Sequence, residues 1–192
     1  MAAPIELVVG LGNPGDKYDR TRHNVGFWFL DALAKKYQAT FRQQSKLNGD
    51  VASARAASGQ FYLAKPNTFM NLSGNCVVAV ANYYRIEAHN VLVVHDELDL
   101  PAGSVRLKIG GGHGGHNGLR DIMQHIGKDF ARLRIGVGDP EHPKRGANFV
   151  LSPPSAAQAD AIETGMDAVL DDFDSLLSGD IQKVMNTINR RD

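Results

Sequence analysis

Five polar side chains in this 192-residue chain are placed to do chemistry: His23, Asp96, Asn13, Asn71 and Asn117. His23 follows Arg22 and precedes Asn24, where an apolar helix should begin. The dipole at a helix N-terminus disfavours positive charge, which keeps an imidazole available as a base. A surface or capping histidine fits the same position. Asp96 lies just past the apolar run Val91 to Val94, and sites in α/β sheets gather at the carboxyl ends of strands. A carboxylate there can accept an imidazole N–H, fix its tautomer and stabilise the imidazolium that forms. Asn13 ends an apolar run, Asn71 follows the turn Asn67 to Met70, and Asn117 closes the segment GGGHGGHNG. Asn71 and Asn117 suit helix N-caps, and Asn71 equally suits an amide aimed at a developing oxyanion. Taken together, the set fits general-base activation of water with amides holding a carbonyl. A covalent nucleophile is not indicated: there is no G-x-S-x-G elbow, and Cys76 reads as core.

Two other chemistries compete. Gly10-Leu11-Gly12-Asn13-Pro14-Gly15 matches G-x-G-x-x-G. A dinucleotide site would need its third glycine to open a helix. Asp16 to Arg22 is polar and lacks helical periodicity, so a tight strand-to-loop turn fits better, and no cofactor is expected. His95, Asp96, His113 and His116 raise the question of a metal. There is no H-E-x-x-H and no cysteine cluster, so no metal is expected. Phe69 and Met70 are apolar in a turn, where they could offer a packing surface to a substrate.

The elements that must hold these residues alternate along the chain. Ile5 to Leu11 reads as a buried strand, Gly12 to His23 as a loop, and Val25 to Tyr37 as a helix with Asn24 as N-cap. Two strands, Asp50 to Ala56 and Gln60 to Lys65, flank a Ser58-Gly59 turn, with Pro66 ending the second. Asn71 to Arg85 reads as a helix, Val91 to Val94 as a strand, and Val105 to Ile109 as a strand with Arg106 and Lys108 on one face. Leu119 to Ile126 is a short helix, and Leu133 to Val137 is a strand with Arg132 and Arg134 together on one face. Asp139 to Asn148 reads as a polar loop. Ser155 and Gln158 form a capping box before a helix reaching about Leu177, and Asp180 caps a last short helix. The interleaving predicts a single α/β domain over residues 1–192. Its sheet should be mixed and twisted, flanked by helices, with helices at the C-terminal end.

Composition bounds the setting. The apolar fraction is 43% and the charged fraction 22%, ordinary for a globular protein. One cysteine rules out an intrachain disulfide and fits a reducing compartment. No secretory leader and no apolar run of membrane-spanning length is visible, so a cytoplasmic protein without membrane contact is expected. The net charge is zero but segregated. From Ser104 to Arg145 eight basic residues face four acids, whereas Asp160 to Asp180 holds seven acids and no Lys or Arg. A phosphate-facing surface with an acidic far side would look like this, and so would two solvated faces.

Four segments, VVGLGNPG at Val8 to Gly15, TRHNVG at Thr21 to Gly26, MNLSG at Met70 to Gly74, and HDELD at His95 to Asp99 with Gly110 to Leu119, together resemble bacterial peptidyl-tRNA hydrolase. The resemblance covers nearly the whole chain in order. It implies hydrolysis of the ester between a peptide and the 3′-ribose of tRNA, with peptidyl-tRNA as partner and a monomeric enzyme. His23 would be the base that activates water and Asp96 the group that stabilises its productive form. Asn13 would help distinguish a blocked amino group from a free one. Asn71 and Asn117 would hold the substrate near the ester, with Tyr18, Phe69, Met70 and His116 contacting it. Many family members carry tyrosine at the position of Phe69, so packing without a hydroxyl contact is expected there. Arg106, Lys108, Arg134, Lys144 and Arg145 correspond to the tRNA-facing surface. The competing readings are a nucleotide-dependent oxidoreductase built on the first glycine turn and an RNA-binding module without catalysis.

Overall fold

Alternation along the first strand builds two cores. Val8 packs into one and Leu7 and Val9 into the other, because successive strand side chains point to opposite faces. The same split recurs where Leu92 and Val94 face one core and Val91 and Val93 the other. A sheet buried on both faces needs helices on both sides. The computed structural model, which describes residues 3–139 and 146–189, has that three-layer arrangement.

Seven strands, β1 (Leu7–Gly10), β2 (Arg42–Gln44), β3 (Gly49–Ala56), β4 (Gly59–Pro66), β5 (Val91–Pro101), β6 (Val105–Ile109) and β7 (Ala131–Gly138), form one sheet in the order β2-β3-β4-β1-β5-β7-β6. The central strands β4, β1, β5 and β7 are parallel, while β2, β3 and β6 run antiparallel to their neighbours. The expected mixed sheet is therefore present. Helix α1 (Val25–Lys36) buries Phe29, Leu30 and Leu33 on one face of the sheet. Helices α5 (Ala156–Leu170), α6 (Phe173–Leu177) and α7 (Ile181–Ile188) share that side through Ile162, Phe173 and Val184. Helix α2 (Ser73–Tyr84) covers the other face with Val77 and Val80, and α3 (Asn117–Ile126) joins it with Ile122. Helix α4 (Ala147–Val150) is a single turn with no buried residue. No helix of the described residues is long and apolar enough to cross a membrane.

The first glycine motif is explained by packing. A Cβ on Gly10 would lie 2.3 Å from the Gly26 carbonyl oxygen, and one on Gly26 would lie 2.5 Å from the Leu11 nitrogen. Strand β1 and the first turn of α1 thus touch backbone to backbone. Gly15 takes a left-handed φ of 109° before a short 3-10 turn, Asp16–Tyr18, and α1 begins only at Val25. The helix start that a dinucleotide site requires is absent from that position.

Several expectations need correction. Asn24 sits at the N-cap of α1 but makes no capping bond. Its side chain is used elsewhere. Asn71 is not the N-cap of α2: it lies in a 3-10 turn, Met70–Leu72, and Leu72 holds the cap position. Asn117 does not cap α3, because His116 accepts the free amides with its ring. The Ser155–Gln158 capping box is present, but its helix stops at Leu170 before a separate α6. Asp180 precedes α7 without a side-chain cap.

Candidate active site

Because β4, β1, β5 and β7 are parallel, their carboxyl ends share one edge, and the chain leaves β1 to pair on both sides. Ligands bind at such switch points. A cavity of about 460 Å³ opens there. Its lining includes Asn13 after β1, Phe69, Met70 and Asn71 after β4, His95, Asp96 and Glu97 on β5, and His113, His116 and Asn117 ahead of and on α3. His23 enters from a 3-10 turn, Arg22–Asn24, just before α1.

Asp96 is buried at the centre of this group. Its Oδ2 lies 2.9 Å from His23 Nδ1, and its Oδ1 lies 2.8 Å from His116 Nε2. The tautomer of His116 follows from its partners. Its Nδ1 accepts the N–H groups of Gly118 and Leu119 at 3.1 and 3.3 Å, so Nε2 carries the proton and donates it to Asp96. Both nitrogens of His116 are thereby occupied. His23 differs: Nδ1 faces the carboxylate, while Nε2 has no hydrogen-bond partner among the described residues and the ring lines the cavity. Burial alone would raise the Asp96 carboxyl. The imidazoles of His116 and His23 more than offset it and hold the group well below the usual carboxylate range.

Below this trio, His95 donates Nδ1–H to the Asp96 carbonyl at 2.8 Å, and its Nε2 is buried without a partner among the described residues. Complete burial, with His116 alongside, lowers the His95 imidazole to about 3. It is therefore a neutral underlay and brings no second positive charge to the site. His23, Asp96 and His116 bring their ligand-type atoms within 4.8 Å of one another. The same atoms stand at hydrogen-bond distance with donor and acceptor matched. His113, suggested as a possible ligand by sequence, accepts the Gly115 N–H instead.

Asn13 is cross-tied. Asn24 Oδ1 accepts the Asn13 N–H and Asn24 Nδ2 donates to the Asn13 carbonyl, both at 2.9 Å. Asn13 Oδ1 accepts the Met70 N–H at 2.8 Å. That bond fixes the orientation of the Asn13 amide and leaves its NH₂ for the cavity. Asn71 and Asn117 are exposed at the rim, and Asn117 Oδ1 accepts a long bond of 3.4 Å from Arg120. Phe69 is 57% exposed. Tyr18 does not line the cavity but stands edge-on behind Phe69, ring centroids 6.3 Å apart.

Arg106, Lys108 and Arg134 do not line the cavity. Arg106 is directly opposite Arg134 and Lys108 opposite Arg132 in the β6–β7 pairing, so the four share one face of the sheet. Arg132 is buried, and its guanidinium donates to the carbonyls of Gly111 and Gly112, anchoring the glycine-rich loop. Arg134 pairs with Glu97 at 2.8 Å, and Lys108 is exposed. Lys144 and Arg145 lie outside the described residues. Reasoning from sequence missed the fourth wall, formed by Leu98 on β5 and by Ala147, Val150 and Leu151 in and after α4. It also missed Asn24 as the clamp on Asn13, since its place before a helix suggested a cap.

Comparison with known proteins identifies the family and agrees with the fold. The sequence model of the family described as Peptidyl-tRNA hydrolase matches residues 7–192. A curated peptidyl-tRNA hydrolase of Coxiella burnetii is 49% identical over 190 residues, covering 98% of this chain and 100% of its own length. One from Neisseria meningitidis is 44% identical over 192 residues, covering all of both chains. A crystal structure of peptidyl-tRNA hydrolase from Acinetobacter baumannii superposes with a TM-score of 0.92 at 44% identity, covering 97% of this chain and 95% of that one. The chain therefore belongs to the peptidyl-tRNA hydrolase family.

Proposed function

We propose that the chain cleaves the ester joining a peptide, or an N-blocked amino acid, to the 3′-ribose of tRNA, with His23 as general base. The observation that carries this reading is the 2.9 Å contact of His23 Nδ1 with buried Asp96, which leaves Nε2 facing the cavity. Nε2 takes a proton from water as the water oxygen bonds to the ester carbonyl carbon. The imidazolium that forms is stabilised by Asp96, itself held by His116. Asn71 and Asn117 at the rim offer amide donors to the carbonyl and its oxyanion. Collapse breaks the carbon–oxygen bond to the ribose, and Nε2 returns its proton to the departing hydroxyl. The products are a free peptide carboxylate and reusable tRNA.

Selectivity for blocked substrates fits the fixed orientation of Asn13. Its NH₂ suits the carbonyl of a peptide amide, whereas a free α-ammonium brings only donors and a costly desolvation. Arg106, Lys108 and Arg134 offer a basic face for tRNA phosphates, a contact that adds affinity without reading sequence. Lys144 and Arg145 extend that expectation outside the described residues. The reading places the protein in the cytoplasm as a single-domain monomer acting without cofactor or metal. Replacing His23 by Ala should lower peptide release from N-acetyl-aminoacyl-tRNA by about 10²–10⁴-fold, with circular dichroism unaltered. Full activity in that variant would overturn the assignment.

A further inference from the structure

Arg22, beside the base, is buried; the Asp139 carboxylate attracts it electrostatically, while its guanidinium hydrogen bonds go to neutral acceptors. Its main-chain N–H donates to the Ser152 carbonyl at 3.1 Å. Its Nη1 donates to the Phe149 and Ser152 carbonyls, both at 3.2 Å, and to Ser152 Oγ at 2.7 Å. Its Nη2 reaches Gln158 Oε1 at 3.1 Å, the same oxygen that closes the capping box of α5. The guanidinium also stacks on the Phe149 ring, 4.0 Å from its centroid. Helix α4 is one turn long and buries none of its residues, so hydrophobic packing holds it little. Yet Ala147, Val150 and Leu151 form a wall of the cavity that His23 enters. One side chain thus ties that wall to the turn bearing the base.

The occupant of this wall follows from its chemistry. Among the described residues the cavity lining holds three carboxylates, Asp96, Glu97 and Asp99, and no Lys or Arg. Asp96 is hydrogen-bonded to His23 and His116 and Glu97 is paired with Arg134, so among the described residues this lining offers no Lys or Arg to a nucleotide phosphate. Neutral apolar groups suit the surface that Val150, Leu151, Leu98 and Phe69 provide.

We propose that Arg22 is a positioning residue that sets substrate specificity, holding Val150 and Leu151 in place as a surface for apolar side chains of the peptide being released. This rests on the activity proposed above. The test uses two substrates carried on one tRNA, N-acetyl-Leu-Leu and N-acetyl-Gly-Gly esters. Cleavage of both by the unaltered enzyme checks the activity, and its failure would sink that reading first. Arg22→Lys keeps the charge but loses the forked donors. It should raise KM for the leucine substrate about tenfold, with a much smaller change for the glycine substrate and in either kcat. Leu151→Ala should give the same split, and the double variant should be no worse than the more damaging single, as coupled residues require. Ser152→Ala, which removes one acceptor and leaves Arg22 in place, should give a weaker version even if Arg22→Lys folds poorly. Equal KM changes for both substrates, or additive effects of Arg22→Lys and Leu151→Ala, would overturn the proposal.

Discussion

The floor and the rim of the cavity are built by different rules. On the floor, Asn13, Asp96, His95 and His116 sit at strand ends or against them, and their polar atoms are largely committed to protein partners. His95 Nε2 is also unpartnered among the described residues, but that atom is buried, whereas the ring of the proposed base lines the cavity. At the rim, Asn71, Asn117, Phe69 and Leu151 are exposed, and α4 depends on Arg22 for its hold. The contrast separates two tasks. Proton transfer needs an imidazole fixed to a fraction of an ångström, which strand ends and buried hydrogen bonds supply. Packing against peptide side chains needs apolar area more than atomic placement, which exposed rim residues supply.

The sharpest way to break this comparison is Asp96→Asn. The amide cannot stabilise an imidazolium as the carboxylate does, so kcat should fall by about 10²–10⁴-fold with little change in KM. A variant losing only KM would place Asp96 with the rim. Acidification tests the floor as a unit of stability. Unfolded His95 titrates near the ordinary 6.5, while the folded group titrates near 3. Between those values the unfolded state binds the extra proton, so lowering the pH through this window favours unfolding, by about tenfold in the equilibrium per pH unit at most. Asp96 acts in the same direction below its ordinary 3.8, since its folded carboxyl resists protonation. Denaturant midpoints from pH 7 to pH 4 should therefore decline, and less so in His95→Gln. An identical slope in both proteins would contradict the buried neutral imidazole. The smallest effect belongs farthest from the floor. Lys108→Ala should leave kcat intact and reduce the slope of log affinity for peptidyl-tRNA against log salt by about one. An unchanged slope would remove Lys108 from the phosphate-facing surface.

The floor was far more legible in the sequence than the rim. Apolar runs marked β1, β5 and β7, and polar residues at their ends stood out against them. Strand β2 carried no such signal: Arg42, Gln43 and Gln44 are all exposed and join the sheet through backbone pairing with β3. Which neighbour caps α3 depends on whether His116 or Asn117 takes the extended backbone, and spacing does not distinguish them. The α4 wall was illegible for a related reason. Phe149-Val150-Leu151 falls just past the polar loop read over Asp139 to Asn148, where no element was expected, and Arg22, which contacts it, lies 127 positions away from Phe149 in the chain.

The catalytic pair proposed here is separated by 73 positions, and β5, which carries Asp96, lies between β1 and β7. A partly synthesised chain that ends before β5 therefore has the histidine but neither its carboxylate nor the loop that orients His116. While it is being translated, this protein is itself a peptide esterified to tRNA, the bond class its family hydrolyses. Late closure of the sheet means that an emerging copy holds no assembled site until well over half its length has been made, so activity begins with the folded product.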